Sequence, residues 1–185
     1  MTEGNINIAV LVGSLRAASH NRALAEVTVA NAPDGITLTV VDGLADLPFY
    51  NEDLDTPELT AGAVTALRDY VESVDAVLIV TPEYNGTMPA VLKNAIDWLS
   101  RPFQASALSG KPAGVIGAAL GGRGGAGSRQ EARRALTVAG ARVVEDVEIG
   151  ISTGGLDDAG MNAPAIVEQT VLAVRVLGDH VAVSV

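Results

Sequence analysis

"DAVLIVTPEYNGTMPAVLKNAIDWLSRP", residues 75–102, changes periodicity within a few positions. Residues 75–81 form a near-continuous apolar run, the look of a parallel strand covered on both faces. From Pro89 onward, Leu92, Ala95, Ile96 and Leu99 recur at i, i+3, i+4 and i+7, the stripe of a helix with one buried face. Between the two lie Pro82, Glu83, Tyr84, Asn85 and Gly86 in a row. Strand, tight loop and helix in this order make one half of a strand–helix–strand unit.

Working outward, the same unit recurs. "INIAVLV" (6–12), "ITLTVVD" (36–42) and "AGVIGAA" (113–119) read as further strands, and "ARVVEDVEI" (141–149) as a weaker one. Helical patterns fall between them. Ala23, Val27 and Ala30 share a face, as do Leu67, Val71 and Val74, with Thr56-Pro57-Glu58 supplying start signals for the latter. Another helix is expected around Ser128–Ala139. The last begins near Ala163, with Asn162 as its N-cap and Ile166, Val167, Thr170, Val174 and Leu177 on one side. Strand and helix alternate without a linker or a repeat, so residues 1–185 are expected to form a single domain. The expected class is α/β, a doubly wound five-stranded parallel sheet with helices on both faces. Its strand count favours the flavodoxin-like order 2-1-3-4-5 over a six-stranded dinucleotide fold. In that order the topological switch lies between the first and third strands, and ligands bind beyond their carboxyl ends. The loops after Val12 and Thr81 are thereby marked for function.

Composition narrows the classes. Hydrophobic residues make up 48% and charged residues 18%, a globular balance. The net charge of −10 argues against nucleic acid or an anionic membrane as partner, and requires that any bound phosphate be held by a local site. The absence of cysteine removes disulfides, thiol nucleophiles and thiolate metal sites. His20 and His180 are too few for a histidine-rich metal site, so no metal is expected. No apolar run reaches the roughly 18 residues of a membrane span. The opening "MTEGNINIAVLV" has neither a basic region nor an apolar signal core, so a cytoplasmic location is expected.

The first marked loop, "GSLRAASHNRALAE" (13–26), carries Ser14, Ser19 and Asn21 as short hydrogen-bonding side chains and Arg16 as a fork suited to phosphate oxygens. Gly13 is read as permitting a tight exit from the strand. A helix starting near Ser19 or His20 would point its free N–H groups into the same loop, which makes an anion site. The alternative is an ordinary capped helix, with Ser19 as N-cap and Arg16 as a solvated charge. The loop lacks the lysine and hydroxyl of a nucleotide-triphosphate P-loop. In the second loop Pro82 stiffens the strand exit, and Asn85-Gly86 is a turn pair tolerant of positive φ. A flat apolar ligand is expected to lie against this turn, with backbone groups reading its polar edge. The alternative is a plain connector with Tyr84 packed on a neighbour.

One loop suited to a phosphate and one suited to a planar ring, at the same crevice, match the two ends of flavin mononucleotide (FMN). "GSLRAASHNRALA" and "PEYNGTMPAVLKNAIDWLSRP" resemble the two signature segments of the NADPH-dependent FMN reductases, a flavodoxin-like group that includes quinone, chromate and azo-compound reductases. "LADLPFYNED" (44–53) resembles the linking loop of that family. The resemblance covers roughly residues 5–150. It implies that Ser14, Arg16, Ser19 and Asn21 hold the FMN phosphate. It implies that Pro82, Glu83, Tyr84, Asn85 and Gly86 lie beside the isoalloxazine ring. Ala90 and Thr87 depart slightly from the family pattern.

"GGRGGAG" (121–127) contains a literal G-x-G-x-x-G at Gly122, Gly124 and Gly127, with Glu145 and Asp146 about 20 residues on, as in a dinucleotide fingerprint. It follows the fourth strand rather than the first, so that reading is set aside. The resemblance makes it a third flavin-lining loop, with Gly121 and Gly122 near the ring. Arg123 is read either as a contact for a nicotinamide cofactor's phosphate or as a solvated charge. Trp98 and Leu99 are read as core or subunit interface, Lys93 as solvated, and His20 as part of the helix start.

The activity implied is an FMN-dependent oxidoreductase. It takes hydride from NADPH or NADH and passes electrons to a small-molecule acceptor such as a quinone, azo compound, metal oxyanion or free flavin. No catalytic side chain is expected, because the cofactor carries the chemistry. The resemblance also implies a homodimer or homotetramer. An electron-carrying flavodoxin without a nicotinamide reaction, and a non-catalytic regulatory protein of the same fold, are the alternatives.

Overall fold

The computed structural model describes residues 5–157 and 159–182. Five parallel strands, β1 (Ile6–Val12), β2 (Ile36–Val41), β3 (Ala76–Val80), β4 (Pro112–Ala119) and β5 (Arg142–Ser152), form one sheet in the order β2-β1-β3-β4-β5. Side chains alternate across each strand, and both faces are apolar. Ile8, Val10, Val12, Leu78, Val80 and Ile116 point into a core with α1 (His20–Ala30) and α5 (Pro164–Ala182). Ala9, Leu11, Val77, Ile79, Ala113 and Val115 point into the opposite core with α2 (Gly62–Ser73), α3 (Ala90–Leu99) and α4 (Ala126–Val138). The central strand β3 is buried at every position, which is why its sequence is an unbroken apolar run. The expected sheet and its order are observed.

Four local expectations are corrected. The buried face of α1 is Asn21, Leu24, Ala25, Val27 and Thr28, while Ala30 is exposed. Two of those positions are polar, and each is satisfied internally: Asn21 through the Ala118 backbone, and the Thr28 hydroxyl by donating to the Leu24 carbonyl at 2.7 Å. Thr56-Pro57-Glu58 starts only an isolated turn, in which Thr60 N–H donates to the Thr56 carbonyl. Leu59 in that turn is exposed, so no face is buried until Val64, Leu67 and Val71 begin the stripe of α2. Asn162 closes a short 3-10 turn, and α5 begins beyond Ala163, whose carbonyl accepts from Ile166 and Val167. Strand β5 runs on to Ser152, three residues beyond the expected Ile149.

The linking segment after β2 is fastened to α3. Trp98 Nε1 and Asn94 Nδ2 donate to the Pro48 carbonyl at 2.7 and 2.9 Å, and Tyr50 N–H donates to Asn94 Oδ1 at 2.8 Å. Arg68 on α2 grips Asp55 with two parallel bonds of 2.7 and 2.9 Å and donates to the Trp98 carbonyl. Trp98 is fully buried, as core was one of its two readings. Among the described residues no helix is long and apolar enough to cross a membrane.

Candidate functional site

The carboxyl ends of β1, β3 and β4 are knitted together: Gly13 N–H donates to the Val80 carbonyl at 2.9 Å and Thr81 N–H to the Ile116 carbonyl at 3.0 Å. Gly13 is needed here for space rather than for φ, since a Cβ would stand 3.3 Å from Leu92. Above these ends opens a cleft of about 420 Å³. Ser14, Arg16, Ser19 and Asn21 from the first loop line it together with Pro82, Glu83 and Tyr84 from the second. The two loops marked at the switch point therefore share one concavity, within the range of small-molecule sites, roughly 300–1,000 Å³.

Within the first loop the polar residues have different tasks. Ser19 is the N-cap of α1 and its hydroxyl oxygen accepts from Arg22 N–H at 3.2 Å, while its O–H stays available to a ligand. Ser14 is half-buried and Arg16 exposed, both at the cleft wall, and no acidic residue lies in the first turn of α1. Asn21, buried but in the same cleft wall, has a second task. Its Nδ2 donates to the Ala118 carbonyl and its Oδ1 accepts from Ala118 N–H, both at 2.8 Å. One N–H and one lone pair of that amide pin α1 to the end of β4, and the second Nδ2 hydrogen and the backbone N–H are not used in these bonds.

The second loop is a two-residue hairpin turn. Tyr84 N–H and Thr87 N–H exchange bonds with each other's carbonyls at 3.0 and 3.1 Å, and Asn85 and Gly86 both hold positive φ, 53° and 81°. Tyr84 is half-exposed at the cleft; Asn85 and Gly86 lie on the far shoulder of the turn, outside the cleft lining. The Glu83 carboxylate does not hang free. Ser128 N–H donates to it at 3.1 Å, so Glu83 caps α4, whose own N-cap residue Gly125 has no side chain to do so. Thr87 Oγ1 donates to Glu131 on the same helix. The turn thus rests on the first turns of α4.

The glycine motif is a packing device. A Cβ at Gly124 would overlap the Gly150 backbone, and one at Gly127 would overlap the Gly86 carbonyl. Glu145, where a ribose-binding acid was weighed, pairs instead with Arg133 at 2.8 Å. Gly121 and Gly122 differ: both are exposed, with nothing within 4 Å of where a Cβ would stand. They follow Leu120, which lines the cleft, but do not line it themselves. Arg123 is exposed. Sequence reasoning missed Ala118, Ala119, Leu120 and Thr153 in the wall. Ala118 and Ala119 end β4, the strand beside the switch point, Leu120 follows it, and Thr153 follows a strand whose end was placed too early. Among the described residues no group of three or more His, Asp or Glu side chains is placed to hold a metal.

These features fit FMN. Hydroxyls, one guanidinium and a helix N-terminus mark one end of the cleft. A stiff turn and the small Ala118 and Ala119 share the same cleft. Fold and cleft together define a flavodoxin-like, mononucleotide-binding α/β protein. The chain belongs to the NADPH-dependent FMN reductase family, whose model matches residues 6–155. A quinone reductase of Pseudomonas putida is 45% identical over 130 residues, 70% of this chain and 69% of that one. An NAD(P)H-dependent FMN reductase of Pseudomonas aeruginosa is 36% identical over 149 residues, 80% of this chain and 79% of the relative. Among solved structures, FerB of Paracoccus denitrificans, a flavoenzyme NAD(P)H:(acceptor) oxidoreductase, superposes with a TM-score of 0.80 at 34% identity, covering 95% of this chain and 98% of that one.

Proposed function

We propose that this protein is an NAD(P)H-dependent FMN oxidoreductase whose acceptor is a small molecule of the quinone type. The observation that carries the reading is the cleft shared by loop 13–21 and residues 82–84 at the switch between β1 and β3. Ser14, Arg16, Ser19 and the first N–H groups of α1 would hold the phosphate. Pro82, Glu83, Tyr84, Asn85 and Gly86 would border the ring, with Gly121 and Gly122 near its edge. Bound FMN supplies the hydride chemistry, being reduced by NADH or NADPH and oxidised by the acceptor.

The chain's own part is binding and orientation. Arg16 neutralises phosphate charge locally in a protein of net charge −10. The hairpin turn, braced on α4, presents backbone groups that need no reorganisation. The Glu83 carboxylate is tied to a helix N-terminus, which offsets its charge beside the ring. An open cleft mouth admits donor and acceptor in turn, which predicts ping-pong kinetics. The quinone class is supported by the named activity of the bacterial relatives.

The same reading includes a homodimer or homotetramer in the cytoplasm. Exposed Phe49, Phe103 and Val138 support subunit contact, and the lack of cysteine suits a reducing compartment. Steady-state assays with NADH and NADPH across quinones, azo dyes, metal oxyanions and free flavin test the assignment. Parallel lines in double-reciprocal plots, with a quinone the best acceptor, are expected. Absence of turnover with every pair would refute it.

A further inference from the structure

The binding reading leaves one buried charge without a task. Arg129 on α4 is only 6% exposed. Its Nη1 donates to the carbonyls of Arg123, at 3.2 Å, and Gly124. Its Nη2 reaches the half-exposed carboxylate of Glu148 at 3.4 Å, and its Nε has no hydrogen-bond partner in the structure. Removing a guanidinium from water is costly, and one long ion pair to a solvated carboxylate does not offset it. The two loop carbonyls are the closer partners.

The surroundings are cut to fit this side chain. A methyl group at Gly150 would overlap the guanidinium. Gly124 presses onto the Gly150 backbone just beside it. Gly124 and Gly125 are consecutive left-handed residues, φ 52° and 74°. One backbone bond, Gly124 N–H to the Gly121 carbonyl at 2.9 Å, closes the loop. Arg133, one turn further along α4, makes a useful contrast. It donates to the Glu145 and Val147 carbonyls, where the β4–β5 ladder breaks register. Arg133 mends the sheet; Arg129 acts on the loop beside the cleft.

We propose that Arg129 is a positioning residue for the flavin site. Its Nη1 fixes the carbonyls of residues 123 and 124, and so sets where Gly121 and Gly122 stand relative to the cleft. Arg129 touches no ligand itself. A lysine does not replace it, because its Nζ stands where the guanidinium carbon is, one bond short of the Nη1 that bonds both carbonyls. The inference rests on the FMN reading above and adds to it a residue outside the cleft lining.

Hydrogen exchange on the whole chain tests it, with and without FMN, in the natural protein, Arg129→Lys, Arg129→Met and Glu148→Gln. In both Arg129 variants without FMN, amides 121–125 are expected to exchange about tenfold faster while β1 and α1 keep their protection. Glu148→Gln, which removes only the solvated partner, is expected to leave the loop unchanged. In the natural protein FMN is expected to slow exchange at residues 121–122. FMN bound to Arg129→Lys is expected to show a shifted visible spectrum and about tenfold weaker binding, a loss of one decade in affinity. Full rescue by lysine overturns the requirement for the guanidinium. FMN that binds the natural protein without protecting 121–122 overturns the positioning role and leaves the FMN reading standing. FMN that fails to bind the natural protein overturns the FMN reading. Should Arg129→Met not fold, the lysine variant and the natural protein's FMN footprint still decide.

Discussion

Two side chains of one loop, Arg16 and Asn21, were expected to share a phosphate, and burial divides them. Arg16 is exposed, with its fork at the cleft wall, so Arg16→Ala should weaken FMN binding by about 1.5–3 kcal/mol, roughly ten- to hundredfold. The unfolding midpoint without FMN should not change. Asn21 is buried and its amide saturates both polar groups of the Ala118 backbone. Asn21→Ala should therefore destabilise the FMN-free protein by about 2–4 kcal/mol, because a buried donor and acceptor lose their partners. Urea denaturation without FMN separates the two variants. Residue types on this loop were legible because short hydroxyls and one arginine before a helix have few other uses. Which of them turns inward was not, since that depends on β4, about a hundred residues away. The turn was read more fully: Asn85 and Gly86 were expected to tolerate positive φ, and both adopt it. Asn85→Ala should cost about 1–2 kcal/mol, the penalty of a left-handed alanine, in the same denaturation assay.

At the scale of elements, the strands were readable and the helix faces less so. A strand covered on both sides declares itself by an apolar run, and β3 has no polar residue in it. Helix α1 hides its buried face behind Asn21 and Thr28, whose polarity is cancelled by backbone bonds that no periodicity reports. The start of α2 was displaced for the opposite reason, since capping signals at Thr56-Pro57-Glu58 had no apolar stripe behind them. The segment before α2 is held by Asp55 and Arg68, whose side chains are largely shielded from solvent. Hydrogen bonding from the Arg68 guanidinium holds the Asp55 carboxyl below its ordinary value. A lowered carboxyl stabilises the fold fully above the ordinary range, near pH 4, and that contribution fades as pH falls through the lowered value. Asp55→Asn should cost about 1–2 kcal/mol at neutral pH. The gap between variant and natural protein should close below about pH 4 in urea titrations run across the acid range.

Across the whole molecule, alternating strands and helices were enough to place two loops at one crevice before any motif was read. The carboxyl-end rule for doubly wound sheets marked the two loops, and the expected strand order β2-β1-β3-β4-β5 is observed. Absent from the sequence pattern was the part of α4, a helix that carries no cleft residue but caps through Glu83, buttresses the hairpin turn and grips the glycine loop. Such bracing is invisible to periodicity, because it runs between elements distant in sequence. Exposed Phe49 and Phe103 extend the account to assembly. Light scattering should give an integral multiple of the monomer mass, and the double variant Phe49→Glu, Phe103→Glu should lower it. The most direct test of the central claim is anaerobic mixing of the FMN-loaded protein with NADH or NADPH, followed by a quinone. The visible flavin absorbance should be lost on adding one of the nicotinamides and return on adding the quinone. Flavin that stays oxidised with both nicotinamides would contradict the account and mark the protein as an electron carrier.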